Sequence, residues 1–150
     1  MARNAVRAAR KPQRGGLDNV LFVVASVEAL PSELIGVADQ LTVVLPWGPL
    51  LRAFALPDQE LLETVASLCR RSSSVEVTLS YEDADNTGLP ALAKEHVQHL
   101  IDVYADAGIA VNSVRELGAA EARSIPSKWA RKLSFGRPRS FWRIEAIRLG

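Results

Sequence analysis

The chain has 150 residues, 48% of them hydrophobic and 23% charged, which suits one domain with a buried core. No apolar run approaches the roughly 20 residues of a membrane span, the amino terminus lacks the apolar stretch of a secretory signal, and a lone cysteine, Cys69, permits neither an intrachain disulfide nor a cysteine-based zinc site; a cytoplasmic protein without metal is expected. The net charge of +1 hides a segregation, with five bases and no acid before Asp18, eight bases against Glu145 alone from Arg123 onward, and 16 acids against 5 bases between.

In chain order, residues 2–11 predict a helix with Ala2, Val6 and Ala9 on one face and Arg3, Arg7, Arg10 and Lys11 on another, ended by Pro12 and Gly15-Gly16. Asn19–Ala25 (NVLFVVA) is a continuous, β-branched apolar run and predicts a strand covered on both sides. Pro31–Val37 predicts a short helical turn, and Leu41–Leu45 (LTVVL) a second buried strand ending at Pro46. Asp58 is placed to cap a helix with Leu61, Leu62, Val65, Leu68 and Cys69 on its core face and Arg70 and Arg71 at its carboxyl end. Val75–Ser80 alternates as a half-buried strand, and Tyr81–Pro90 is a polar loop. A helix carrying Ala93, Val97, Leu100, Ile101 and Tyr104 inward follows, stopped by Gly108. Ile109–Val114 predicts a strand, Ala119–Ser124 a short helix, then a basic loop and a last strand, Phe141–Leu149. Alternation of strand and helix points to an α/β fold with a parallel, doubly wound sheet.

The usual cofactor signatures are missing. No G-x-G occurs, and Gly15-Gly16 precedes a predicted strand instead of following one. His96 and His99 lie three apart on the second amphipathic helix without an obvious third ligand, so a solvated helix face is the expectation. Cys69 reads as buried filler.

Three stretches point further: VVASVEALP (residues 23–31), VVLPWGPLL (43–51) and PSKWARKLSFGRPR (126–139), with KPQRGGLDN (11–19) and GLPALAK (88–94) beside them. In this order and spacing they resemble the aminoglycoside-resistance 16S rRNA methyltransferases that modify N1 of an adenine in the ribosomal decoding site. The resemblance runs from about residue 1 to the end. It implies a Rossmann-like class I methyltransferase sheet of order 3-2-1-4-5-7-6 with the last strand antiparallel. Asn19–Ala25 would then be strand three, and the four later strands would be four, five, six and seven. Strands one and two would be absent, so residues 1–150 would form one partial domain: a basic helix and linker over 1–18, and strands three to seven with RNA-contacting loops over 19–150. Two absent strands would leave about 14 Å between strands three and four, at roughly 4.8 Å per spacing.

The resemblance also implies roles. S-adenosyl-L-methionine would be the cofactor, with Val27, Glu28, Leu45 and Ser127 beside it. Trp47 and Trp129 would clamp a flipped adenine, with Arg139 at the same centre; base–aromatic stacking is worth about 1–3 kcal/mol per base and offsets unstacking. Trp142 is expected in the core. Arg3, Arg7, Arg10, Lys11, Lys132 and Arg137 would meet rRNA phosphates, which suits the two basic ends. Thr87 stands where a relative carries Arg, and Pro49 where the family often has Ser or Thr. The implied partner is 16S rRNA in the 30S subunit, met by a monomer, with no membrane. The resulting expectation is methylation of an adenine N1 by a truncated or partial enzyme; a non-catalytic RNA-binding remnant of the family is the alternative.

Overall fold

The structure is a computed structural model that describes residues 2–17, 19–82, 85, 87–91, 94–134 and 139–150. The chain divides into two compact units, Met1–Leu30 and Pro31–Gly150.

In the first unit, helix α1 spans Ala2–Ala8, shorter than the predicted 2–11. Pro12 is the reason: Lys11, which precedes it, is extended at φ −57° and ψ 144°, and a single 3-10 turn, Pro12–Arg14, follows. The chain then folds back, Leu17 N–H donating to the Ala8 carbonyl at 2.8 Å, and a Cβ on Gly16 would collide with the Arg10 carbonyl. The expected strand over Asn19–Ala25 is not there. Residues 20–25 have no regular structure, and Leu21 and Val24 are 81% and 86% exposed. A strand of this composition needs neighbours on both edges and layers on both faces, and among the described residues the only ladder contact nearby is the isolated bridge Ser26–Ala29.

The second unit carries a four-stranded mixed sheet flanked by helices. Its elements are β1 (Ala38–Val44), α2 (Pro49–Ala55), α3 (Gln59–Ser67), β2 (Cys69–Leu79), α4 (Lys94–Asp106), β3 (Ile109–Glu116), α5 (Ala119–Ser124), α6 (Lys128–Ser134) and β4 (Trp142–Arg148). The spatial order is β1-β2-β4-β3. β1 runs parallel to β2, with Val43 opposite Val77; β4 inserts antiparallel between β2 and β3, with Ile144 opposite Val77 and Val114. The core gathers Val75, Val77 and Leu79 of β2 with Ile144, Ile109, Leu62 and Val65, and with Leu100, Tyr104 and Phe54, all at most 3% exposed. Burial pushes the Tyr104 hydroxyl far up, so it stays protonated and donates to the Phe54 carbonyl. Among the described residues no helix is long and apolar enough to cross a membrane.

Three boundaries differ from expectation. Cys69, Arg70 and Arg71 belong to β2 rather than to the preceding helix, because α3 ends at Ser67 and Ala38 N–H bonds the Leu68 carbonyl, bringing β1 alongside. Arg70 pairs with Asp39 across that edge at 2.6 Å. Helix α2 was not anticipated, although Gly48 followed by Pro49 at its first turn and Leu51, Phe54 and Ala55 at helical spacing mark it. The basic loop before the last strand contains helix α6. The cap at Asp58 is present, its carboxylate accepting from Leu61 N–H at 3.0 Å. Asp58→Ala is expected to cost about 0.5–2 kcal/mol in a urea melt without moving any binding property.

Candidate functional site

β1 ends in a turn that its own sequence would not favour. Leu45 adopts φ 49°, a left-handed conformation rare for a branched apolar side chain. It is held there by its N–H bond to the Thr78 carbonyl at 2.9 Å and by packing against a small second core of Leu117, Ala122, Ile125, Ala130 and Phe141. The reversal carries the chain out of the sheet through Pro46 and delivers Trp47 to the surface, 59% exposed, just before α2.

The same second core fixes α6. Ala130 is fully buried in it and Leu133 packs against it, while Trp129, one position earlier, points outward and is 47% exposed. Ser127 starts the helix: its hydroxyl oxygen accepts from Trp129 N–H at 3.2 Å and Ala130 N–H at 3.3 Å. These two hydrogen bonds and two packing contacts make a helix of what composition alone marks as a basic loop.

Trp47 and Trp129, 82 residues apart in sequence, therefore line one cavity of about 560 Å³ together with Val44, Leu45 and Ser127. Large aromatic side chains at such exposure, from two elements and facing one concavity, leave planar surface available to a flat ligand. Lys132 lies one turn along α6 with its ammonium 5.3 Å from the centre of the Trp129 ring, a cation–π contact. Trp142, expected in the core, is half-buried at the start of β4.

Arg139 is not free. Its guanidinium meets both carboxylate oxygens of Asp85, at 2.6 and 2.8 Å, and the two side chains are only 13% and 15% exposed. Glu82 holds the adjoining backbone, accepting from Ser140 N–H at 2.8 Å. The Arg139 guanidinium keeps the Asp85 carboxyl below the usual carboxylate range. Because that folded-state pKa is depressed, the stabilisation is present at neutral pH and disappears as pH falls through it. Asp85→Ala is expected to destabilise the protein by about 1–3 kcal/mol at pH 7 and to have a shrinking effect in melts repeated below about pH 4.

The remaining predicted residues fall in the first unit or outside the described set. Val27 and Glu28 form the two-residue turn between the bridged Ser26 and Ala29. The Ser26 hydroxyl donates to the Glu28 carboxylate and lowers its pKa, so this exposed group is ionised at neutral pH. Arg3 and Arg7 are exposed on α1, and Arg10 and Lys11 are exposed just after it. Arg137 lies outside the described residues. Among the described residues no cluster of three or more metal-ligating side chains exists. His96 bonds the Ala55 carbonyl at 2.6 Å and ties α4 to α2, a structural use for a side chain expected to be solvated.

Two site features were not visible in the sequence. Val44 completes the cavity wall, and Asp85 selects Arg139 from eight carboxyl-terminal bases. A partnership across 54 positions leaves no local signal.

Comparison with known proteins places the chain in a family. The model of the family "NpmA: 16S rRNA (adenine(1408)-N(1))-methyltransferase" matches residues 1–148. The chain is 36% identical over 145 residues to the 16S rRNA (adenine(1408)-N(1))-methyltransferase of Escherichia coli, covering 90% of this chain and 65% of that one. It is 34% identical to the enzyme of the same name from Streptoalloteichus hindustanus, covering 93% and 66%. It thus spans about two thirds of the length of these curated relatives. Among solved structures, a tryptophan-to-alanine mutant of the 16S rRNA (adenine(1408)-N(1))-methyltransferase from Catenulisporales acidiphilia, with cosubstrate SAM, superposes with a TM-score of 0.87 at 31% identity, covering all of this chain and 70% of that one. The aminoglycoside resistance methyltransferase NpmB1 gives 0.82 at 35% identity, covering 99% and 70%.

Proposed function

We propose that this chain, which belongs to the NpmA family of 16S rRNA (adenine(1408)-N(1))-methyltransferases, grips an adenine of 16S rRNA for S-adenosylmethionine-dependent methylation at N1. The observation that carries this reading is the pair of exposed indoles, Trp47 and Trp129, on one cavity beyond the carboxyl end of β1. That is where ligands sit in open α/β sheets, and two facing aromatic planes are what an extruded base requires.

The division of labour follows from the chemistry. At neutral pH adenine N1 carries a lone pair and no proton, so the protein has no proton to remove and needs no general base. Its work is to take the base out of the stack, exclude alternative poses and aim N1. Trp47 and Trp129 supply the grip. Leu45 and Ser127, lining the same cavity, are proposed to hold the cofactor beside the base; the size of the cavity, that of a small-ligand site, supports this. When bound there, S-adenosylmethionine supplies an electrophilic methyl group on a sulfonium. Val27 and Glu28 remain proposed cofactor contacts. Lys132 and the exposed bases Arg3, Arg7, Arg10 and Lys11 are proposed to meet phosphates of the rRNA in the 30S subunit, with Arg137 proposed alongside them; Arg139 is proposed to serve the adenine-gripping centre in its paired form with Asp85. The protein is proposed to act as a monomer in the cytoplasm.

The 150 residues contain no G-x-G turn, and the run 20–25 is outside any strand. These two observations favour a second reading, in which the chain binds rRNA without transferring a methyl group. One experiment separates the two. The chain is incubated with 30S subunits and S-adenosylmethionine, and N1 methylation is read as a reverse-transcription stop, since it blocks the Watson–Crick edge. A stop at the target adenine supports the enzyme. No stop, with 30S binding that depends on Trp47, supports the binding module; neither result overturns both. Calorimetry on the chain alone is expected to show S-adenosylmethionine binding weaker than micromolar, because the glycine-rich turn that cradles such cofactors is not among these residues.

A further inference from the structure

A second cavity, of about 280 Å³, adjoins the first. Trp47 is the residue common to both linings; the rest of the second wall includes Leu51, Arg52, Asp85, Thr87 and Leu89. Nothing in the proposed clamp uses it. Its volume sits just below the range of about 300–1,000 Å³ typical of small-ligand sites, the scale of one nucleotide rather than of a longer segment. Its walls combine the apolar Leu51 and Leu89 with an aromatic ring, which suits a base. Its charge is equally specific. Asp85 and Arg139 neutralise each other, and Arg52 is exposed with no ion-pair partner among the described residues. The cavity is left with one net positive charge, matched to a phosphate.

We infer that this cavity is a subsite for the nucleotide adjacent to the target adenine, whose base stacks on Trp47 while its phosphate is held by Arg52. The inference rests on the adenine-gripping reading above and extends it. Extruding one base removes a stacking partner from each neighbour, and an indole bordering two cavities offers a replacement surface to one of them. Consecutive nucleotides of a single strand then straddle one side chain. Thr87, whose hydroxyl accepts from Leu89 N–H at 3.3 Å, shapes the outer wall and is the position at which the cavity can be filled without touching the first.

The test uses the full chain on 30S subunits, with chemical probing of the target adenine and its two neighbours. Wild type is expected to change the reactivity of the target and of one neighbour. Thr87→Trp is expected to keep the change at the target, lose the change at the neighbour and bind about 5- to 150-fold more weakly, the value of one base–aromatic stack. Arg52→Ala, at an exposed position that leaves folding intact, is expected to reduce the slope of log affinity against log salt by about 0.7–0.9, the signature of one lost phosphate contact; Arg52→Lys is expected to restore it. A change confined to the target in wild type, or a neighbour change that survives Thr87→Trp with an unaltered salt slope in Arg52→Ala, overturns the subsite and leaves the clamp standing. No change at the target in wild type overturns the clamp itself, and the subsite with it.

Discussion

Trp47→Ala is expected to weaken binding to 30S subunits by at least about 5- to 150-fold, the value of the stack on the target adenine alone, while leaving stability within about 0.5 kcal/mol of wild type. The separation of the two effects follows from exposure: an indole 59% open to solvent contributes little to folding and its removal creates no cavity in the core. Trp129→Ala is expected to behave alike. If one base is gripped from both sides, the double variant loses less than the two single losses combined, because either single truncation already releases the base. Affinity measured by retention of labelled 30S subunits, with a urea melt of each variant, checks both statements. Unchanged affinity in either single variant would remove the clamp from the account.

Phe141→Ala is expected to act in the opposite order, through structure first. Phe141 is 2% exposed at the centre of the second core, and its carbonyl accepts from Leu117 N–H at 2.7 Å. Truncation should cost about 3–5 kcal/mol, the range for a buried aromatic ring that leaves a cavity. The core it empties joins Leu45 at the end of β1 to Ala130 and Leu133 of α6. Both walls of the clamp therefore depend on it, and 30S binding should fall even under conditions where the variant remains folded. A urea midpoint reports the first effect, and affinity measured at low temperature, well inside the folded plateau, reports the second. Retained affinity in a folded but destabilised variant would show that α6 holds Trp129 without that core.

What could be read in the residues, and what could not, divides along physical lines. Local periodicity located α4, β3 and β4 to within a few residues, and the carboxyl-terminal half of β2, because each buries one face or two and the pattern of burial is written in the order of apolar side chains. The Asp58 cap was legible for the same reason, since capping is decided within three residues. The run NVLFVVA shows the limit of that logic. Its composition has the character of a strand, but a strand exists only if another backbone pairs with it, and residues 20–25 find none within the described chain.

The candidate site was legible through its motifs rather than through physics. VVLPWGPLL and PSKWARKLSFGRPR named Trp47 and Trp129, and nothing in either stretch states that the two rings share a cavity. That was decided by tertiary structure, through the left-handed turn at Leu45 and the small core under α6. The same holds for Arg139, one of eight bases in its segment until Asp85 engages it. By itself the sequence determined most of the elements, though not α2, α6 or the course of residues 20–25, and the family they belong to, because local burial and motif are properties of contiguous residues. Only the fold decided which side chains meet, because that depends on how elements far apart in the chain pack against a common core.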